Sequence, residues 1–206
     1  HHNNSQIYIA VMNLSETLSL RLLLASQSPR RKQLLEQMGF KVEVVNVQAE
    51  EIFDPALADY AIAEHLASIK NQAYALSIPD KAVLLTADTL VFADGKPLGK
   101  PHDTAQAIRY LNQLKGKTHK VITACCLRSN KDKKTFHQTA TVGFRNLTDE
   151  EIIHYVECYK PFDKAGAYGI QEWIGLIGIE RIEGDYYTIM GLPCEQLFCT
   201  LGKMNI

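Results

Sequence analysis

The run Ala82–Thr86 limits what this chain can fold into more than any other stretch, because it is apolar up to its last residue and shows no alternation. A strand with one solvated face alternates apolar and polar side chains; an unbroken apolar strand is buried on both faces and needs a covering layer on each. Helical patterns supply those layers. Leu34, Leu35 and Met38 share one helical face between Pro29 and the stop signal Gly39, and Leu57, Tyr60, Ala63, Leu66 and Ile69 do the same within Ala56–Leu76. Asp103 can cap a helix through Ala107, Leu111 and Leu114 that Gly116 ends, and Thr148 with Glu151 forms a capping-box signature opening a helix toward Cys158. Leu20–Ala25 and Val42–Val47 read as further strands, and Thr89–Phe92 with Asp94-Gly95 as the start of a hairpin. Val121–Leu127 and Phe136–Phe144 predict a long hairpin around Ser129–Lys134. Trp173–Ile182 and Tyr186–Met190 predict another antiparallel pair around Gly184-Asp185, and Pro193 starts a closing helix. Strands and helices alternate early and strands dominate later. The expected fold is α/β: an elongated mixed sheet in two lobes, with flanking helices and a central cleft.

The 206 residues, 46% of them hydrophobic, suit one such domain over 19–206. Residues 1–18 read as a tag remnant, marked by His1 and His2, followed by a loosely held extension. Lysine and arginine total 22 against 23 acidic residues, so there is no cationic excess for a nucleic-acid or membrane-surface partner. No apolar run approaches the ~20 residues of a membrane span, and no signal-peptide pattern opens the chain. The five cysteines are odd in number and contain no CxxC pair, which favours buried reduced thiols over a zinc site or disulfide framework. These features predict a soluble, cytoplasmic protein.

Four segments carry chemistry. In Ser26-Gln27-Ser28-Pro29-Arg30-Arg31 a strand ends in hydroxyls and a helix begins with two arginines. Cations in a first helical turn oppose the helix dipole unless an anion sits there, and free N–H groups, hydroxyls and guanidinium forks together suit a phosphate. The plain alternative is a capped helix with solvated arginines; a Walker loop is excluded by the missing glycines. Thr86-Ala87-Asp88-Thr89 places a carboxylate at an apolar strand's end, where open α/β sheets bind ligands, although strand-end turns also carry aspartates. Glu50 and Glu51 follow another predicted strand. With Asp88 they offer oxygen ligands for a hard cation, or are simply solvated. Lys70 and Lys100 would each, taken alone, read as surface lysines. In the fourth segment, 163–171, small residues let backbone approach a ligand, and Gln171 offers both donor and acceptor to a base edge. Its alternative is a tight turn into a strand.

Together these segments resemble the Maf family of nucleoside triphosphate pyrophosphatases, also described as septum-formation inhibitors. The match runs from about Leu22 to the C-terminus through Leu-Ala-Ser-Gln-Ser-Pro-Arg-Arg at 24–31, Glu50-Glu51, Leu66-Ala67 with Lys70, Ala87-Asp88-Thr89, Gly99-Lys100-Pro101, 163–171 and Gly191-Leu192-Pro193. The resemblance implies a fold shared with inosine triphosphate pyrophosphatases and hydrolysis of nucleoside triphosphates to monophosphate and pyrophosphate with a divalent cation, Mg2+ or Mn2+. It implies Asp88 as proton acceptor and metal ligand, Glu51 as metal ligand, and Ser26, Arg30, Arg31, Lys70 and Lys100 on the phosphates. Arg30, Thr89 and Gln171 occupy the places that distinguish the dTTP/UTP type from the 7-methyl-GTP type, and they match the former. A homodimer and a role in cleaning nucleotide pools or arresting division also follow from the resemblance alone. Two positions depart from the family pattern: Glu172 stands for the usual glycine, followed by Trp173, and Asn71 follows Lys70. The competing readings are a nucleotide-binding regulator of septum formation with incidental hydrolysis, and a nucleotidyltransferase, for which no acceptor site is visible.

Overall fold

A computed structural model describes residues 13–206. Its centre is a seven-stranded mixed sheet in the order β2-β1-β3-β5-β6-β7, with β4 paired to β3 outside that path. The strands are β1 (Arg21–Leu24), β2 (Lys41–Val44), β3 (Ala82–Ala93), β4 (Lys96–Leu98), β5 (Thr118–Arg128), β6 (Lys133–Phe144) and β7 (Ile179–Glu183). The β1–β2 and β1–β3 pairs are parallel and the rest antiparallel.

The apolar run that opens β3 is buried throughout, as two-sided cover requires. The strand does not stop at Asp88, where the sequence predicts an end. It runs on to Ala93 and turns through Asp94 and Gly95, both at positive φ, as a two-residue hairpin turn needs. On one edge β3 pairs with β5 from Leu84 to Phe92. On the other it pairs with β1 only up to Leu85 and with β4 only from Val91. Between the β1 and β4 ladders, Thr86–Leu90 has no strand on that second edge, and the sheet opens there into a cleft.

The helices are α1 (Leu14–Leu18), α2 (Pro29–Gln37), α3 (Asp59–Gln72), α4 (Thr104–Leu114), α5 (Asp149–Tyr159), α6 (Trp173–Gly178), α7 (Tyr186–Met190) and α8 (Cys194–Leu201). On one face, Leu34 and Leu35 of α2 and Leu197 of α8 pack on Leu22, Leu24 and Leu85. Further along the same sheet, Leu111 of α4 and Ile152 of α5 pack on Val91, Val142 and Phe144. These two cores are the two lobes. On the opposite face α3 lays Ile62 and Leu66 over Leu90, Phe92 and Ile122. The predicted capping box is present: Thr148 Oγ1 accepts from the Glu151 N–H at 3.2 Å, and the Glu151 carboxylate accepts from the Thr148 N–H at 2.8 Å.

Two further expectations are corrected, on the last strand pair and on the burial of the cysteines. Trp173–Ile182 and Tyr186–Met190 are not a strand pair; only β7 is extended, flanked by α6 and α7. Asp185 caps α7, its Oδ2 accepting from the N–H and hydroxyl of Thr188 at 2.7 Å each, and that local satisfaction outweighs the strand preference of Tyr-Tyr-Thr-Ile. In the predicted extension, residues 1–12, tag remnant included, lie outside the described residues, whereas α1 is capped by Asn13 and buries Thr17. Of the cysteines, all free, Cys125 and Cys126 are buried but Cys158 is exposed. Among the described residues no helix is long and apolar enough to cross a membrane.

Candidate active site

The gap along β3 is the floor of a cleft of about 530 Å³. Ser26, Arg30, Arg31, Glu51, Lys70, Asp88, Thr89, Lys100 and Gln171 all line it, so the structure brings these nine together, whereas Glu50, singled out beside Glu51, does not line the cleft. Asp88 and Thr89 are neighbours on an extended strand and leave it on opposite faces. Both reach the cleft because no strand flanks that edge.

Asp88 faces α3. Thr86, on the same face, donates its hydroxyl to the Ala67 carbonyl at 2.7 Å, and Asn71 donates to the Cys126 carbonyl at 2.9 Å. These two buried bonds lock the last turn of α3 onto the sheet and set Lys70, between them, over Asp88. The Lys70 ammonium pairs with Asp88 and also reaches Glu51 Oε1 at 2.9 Å. Burial pulls its pKa down, but the Asp88 and Glu51 carboxylates outweigh that, and the net direction is up. Lys70 thus bridges two carboxylates instead of standing free for a phosphate.

Arg31 is similarly engaged. Its Nε donates to the Gly191 carbonyl at 2.8 Å, one terminal nitrogen to Ser26 Oγ at 2.9 Å and the other to Thr89 Oγ1 at 3.0 Å. Thr89 Oγ1 also meets Thr123 Oγ1 at 2.8 Å. Burial lowers the Arg31 pKa, with Asp88 opposing. This arginine ties the turn after β1, the middle of β3 and the α7–α8 connection together. Arg30 crosses the cleft to Asp163 at 3.0 Å. Lys100 is exposed and makes no ion pair among the described residues.

The segment 163–171 forms the far wall. Gly166 has φ +70°, and a Cβ there would lie 2.8 Å from Val91 Cγ2, so only glycine lets the segment sit this close to β3. Ala167 follows at φ +62°. The sequence reading missed Tyr155, whose hydroxyl accepts from the Gly169 N–H at 3.0 Å, and the buried His119–Tyr168 pair, with Nε2 to hydroxyl at 2.6 Å. Tyr155 shares the apolar face of α5 with Ile152 and Val156, so its spacing marks it only as core.

Among the described residues there is no group of three or more His, Cys, Asp or Glu able to hold a metal ion. Asp88 and Glu51, brought together by Lys70, are two hard oxygen donors. Two such donors fit an ion that takes the rest of its shell from phosphate oxygens and water.

The model of the family described as Maf-like protein matches residues 21–204. The chain belongs to the Maf family. Proteins named dTTP/UTP pyrophosphatase are similar to it over most of their length: that of Phocaeicola vulgatus is 44% identical, covering 89% of this chain and 96% of that one. That of Bacteroides thetaiotaomicron is 43% identical with the same coverages, and that of Christiangramia forsetii 40% identical, covering 89% and 93%. Among solved structures, the Ham1 protein of Staphylococcus aureus is similar at a TM-score of 0.42 and 16% identity, covering 60% of this chain and 71% of that one. In this Maf chain neither departure from the family pattern enters the cleft. Asn71 is buried and also accepts from Arg128 Nε at 2.9 Å, holding α3 to β5. Glu172 turns to Lys164, 2.8 Å away.

Proposed function

We propose that this chain hydrolyses dTTP and UTP to the monophosphate and pyrophosphate. The observation that carries the reading is the Lys70-bridged pair of Asp88 and Glu51, set in one cleft whose lining also includes Ser26, Arg30, Arg31 and Gln171. The relatives' shared name points to the same chemistry.

Phosphoanhydride hydrolysis is mostly charge neutralisation and placement of a water. Ser26, the α2 N-terminus, Arg30 and Lys100 face the phosphates; α2 has no side-chain cap, which leaves its first N–H groups free for oxygen atoms. Arg31, held by three protein partners, keeps this wall in shape. Asp88 accepts the proton of the attacking water, oriented by Lys70. Glu51 and Asp88 would hold Mg2+ or Mn2+, which when bound supplies positive charge against the triphosphate. Gln171 presents a carboxamide, acceptor and donor at once, to the O4/N3 edge of a pyrimidine. Thr89 shapes the cleft between.

The test is pyrophosphate release from UTP, dTTP, dATP, dGTP and 7-methyl-GTP. The two pyrimidine nucleotides should show the highest kcat/KM. A preference for 7-methyl-GTP, or release of orthophosphate in place of pyrophosphate, refutes the assignment.

A further inference from the structure

A side chain that selects a base has to be presented from a fixed backbone, because looseness of even an ångström dilutes discrimination. Gln171 is exposed, and its carboxamide makes no hydrogen bond to the described protein. Its placement therefore depends on its neighbours. On one side Gly175 packs so tightly on Ile170 that a Cβ would lie 1.8 Å from the Ile170 carbonyl oxygen, which pins the first turn of α6 to the segment. On the other side stands Glu172. Its Oε1 meets Lys164 Nζ at 2.8 Å and its Oε2 accepts from the Tyr155 hydroxyl at 3.4 Å. The same hydroxyl accepts the Gly169 N–H. A Cβ on Gly169 would approach Glu172 Oε1 to 2.6 Å and Lys164 Cε to 2.9 Å, so the ion pair packs directly on this backbone. Both side chains are largely buried, at 17% and 12% exposure, and salt screens such a pair less than a surface one. Lys164 also pairs with Asp163 at 2.8 Å, and Asp163 in turn with Arg30 on α2. Four alternating charges thus run from the phosphate wall to the base end.

We infer that Glu172 and Lys164 are positioning residues for base selection: their ion pair fixes the Gly169–Gln171 backbone, and with it the carboxamide that reads the base. The inference rests on the pyrimidine reading given above. Glu172 touches neither Asp88, Lys70 nor Glu51, so its loss leaves the reacting end intact. An interaction that serves recognition of one base shows in KM and in the ratio between nucleotides, not in kcat.

The experiment measures kcat and KM for UTP and dGTP in wild type, Glu172→Gln, Glu172→Ala, Lys164→Met and the double variant Lys164→Met/Glu172→Gln, with melting temperatures alongside. Glu172→Gln keeps the volume and the Tyr155 contact while removing the charge. Each single variant should raise KM for UTP about tenfold with kcat within about twofold, and the double variant should be no worse than either single, as coupled partners behave. The UTP-to-dGTP ratio should fall with it. An unchanged KM and ratio in folded Glu172→Gln and Lys164→Met overturns the inference, and so does an equal loss for both nucleotides, which marks a purely structural pair. If the wild type prefers dGTP, the pyrimidine reading fails instead, and the inference is then decided by whether the variants shift that preference.

Discussion

Asp88 and Arg31 lie in one cleft but do different work, and single substitutions separate them. Asp88→Asn keeps the shape and removes the proposed proton acceptor, so kcat should fall by about 10²–10⁴. The melting temperature should move little and UTP binding should survive; near-wild-type turnover in the folded variant would sink the assignment. Arg31→Ala removes three hydrogen bonds that join Ser26, Thr89 and Gly191. Charge-assisted bonds are worth about 1.5–3 kcal/mol each, less what water restores in an open cleft. The expected loss is roughly 2–4 kcal/mol in a chemical denaturation curve, far more than for Arg30→Ala, whose ion pair to the exposed Asp163 is worth under about 1 kcal/mol. Equal stabilities for the two arginine variants would contradict this. The sequence marks both arginines as out of place in a first helical turn. It cannot show that one of them is spent on a carbonyl 160 positions away, because that contact exists only once the fold has formed.

Among the elements, those with strong local signals were legible: the apolar β3, the α5 capping box, the Asp103 cap of α4 and the β5–β6 hairpin. Two of the misses share a cause. Trp173–Gly178 and Tyr186–Met190 are short and rich in residues that favour strands, and their state is decided by tertiary packing at Gly175 and by the Asp185 cap. The continuation of β3 past Asp88 was hidden for the opposite reason, since a polar pair at 88–89 looks like a strand end until β5 is seen running beside it. The small residues of segment 163–171 mark it in the sequence, and the structure gives the reason at Gly166. Gly166→Ala should therefore be costly: the left-handed φ and the 2.8 Å approach to Val91 together should destabilise by about 1–3 kcal/mol and raise KM for UTP. Thermal melts and steady-state kinetics check both; an unperturbed KM would show that the segment does not depend on this contact.

On the scale of the whole molecule, stability carries a pH signature unrelated to catalysis. His119 is buried against Phe144 and Tyr168, and burial pushes its pKa from the ordinary 6.5 down to about 4. Between those values the unfolded chain binds a proton that the folded one refuses. Stability is therefore complete above about pH 6.5 and is lost as pH falls toward 4, by up to about 3 kcal/mol at roughly 1.4 per unit. Denaturation midpoints at pH 7 and 4.5 should differ more in wild type than in His119→Gln, and parallel slopes would refute the attribution. The same scale brings out what β3 means for motion. One uninterrupted strand runs through both lobes, with no linker between them, and at the cleft its own ladder to β5 is unbroken. Two bodies joined in this way behave as the ends of a torsion bar, not as the leaves of a hinge, because swinging them apart would break the β3–β5 ladder. A triphosphate arriving here meets walls already in place, and little of its binding energy is diverted into assembling them.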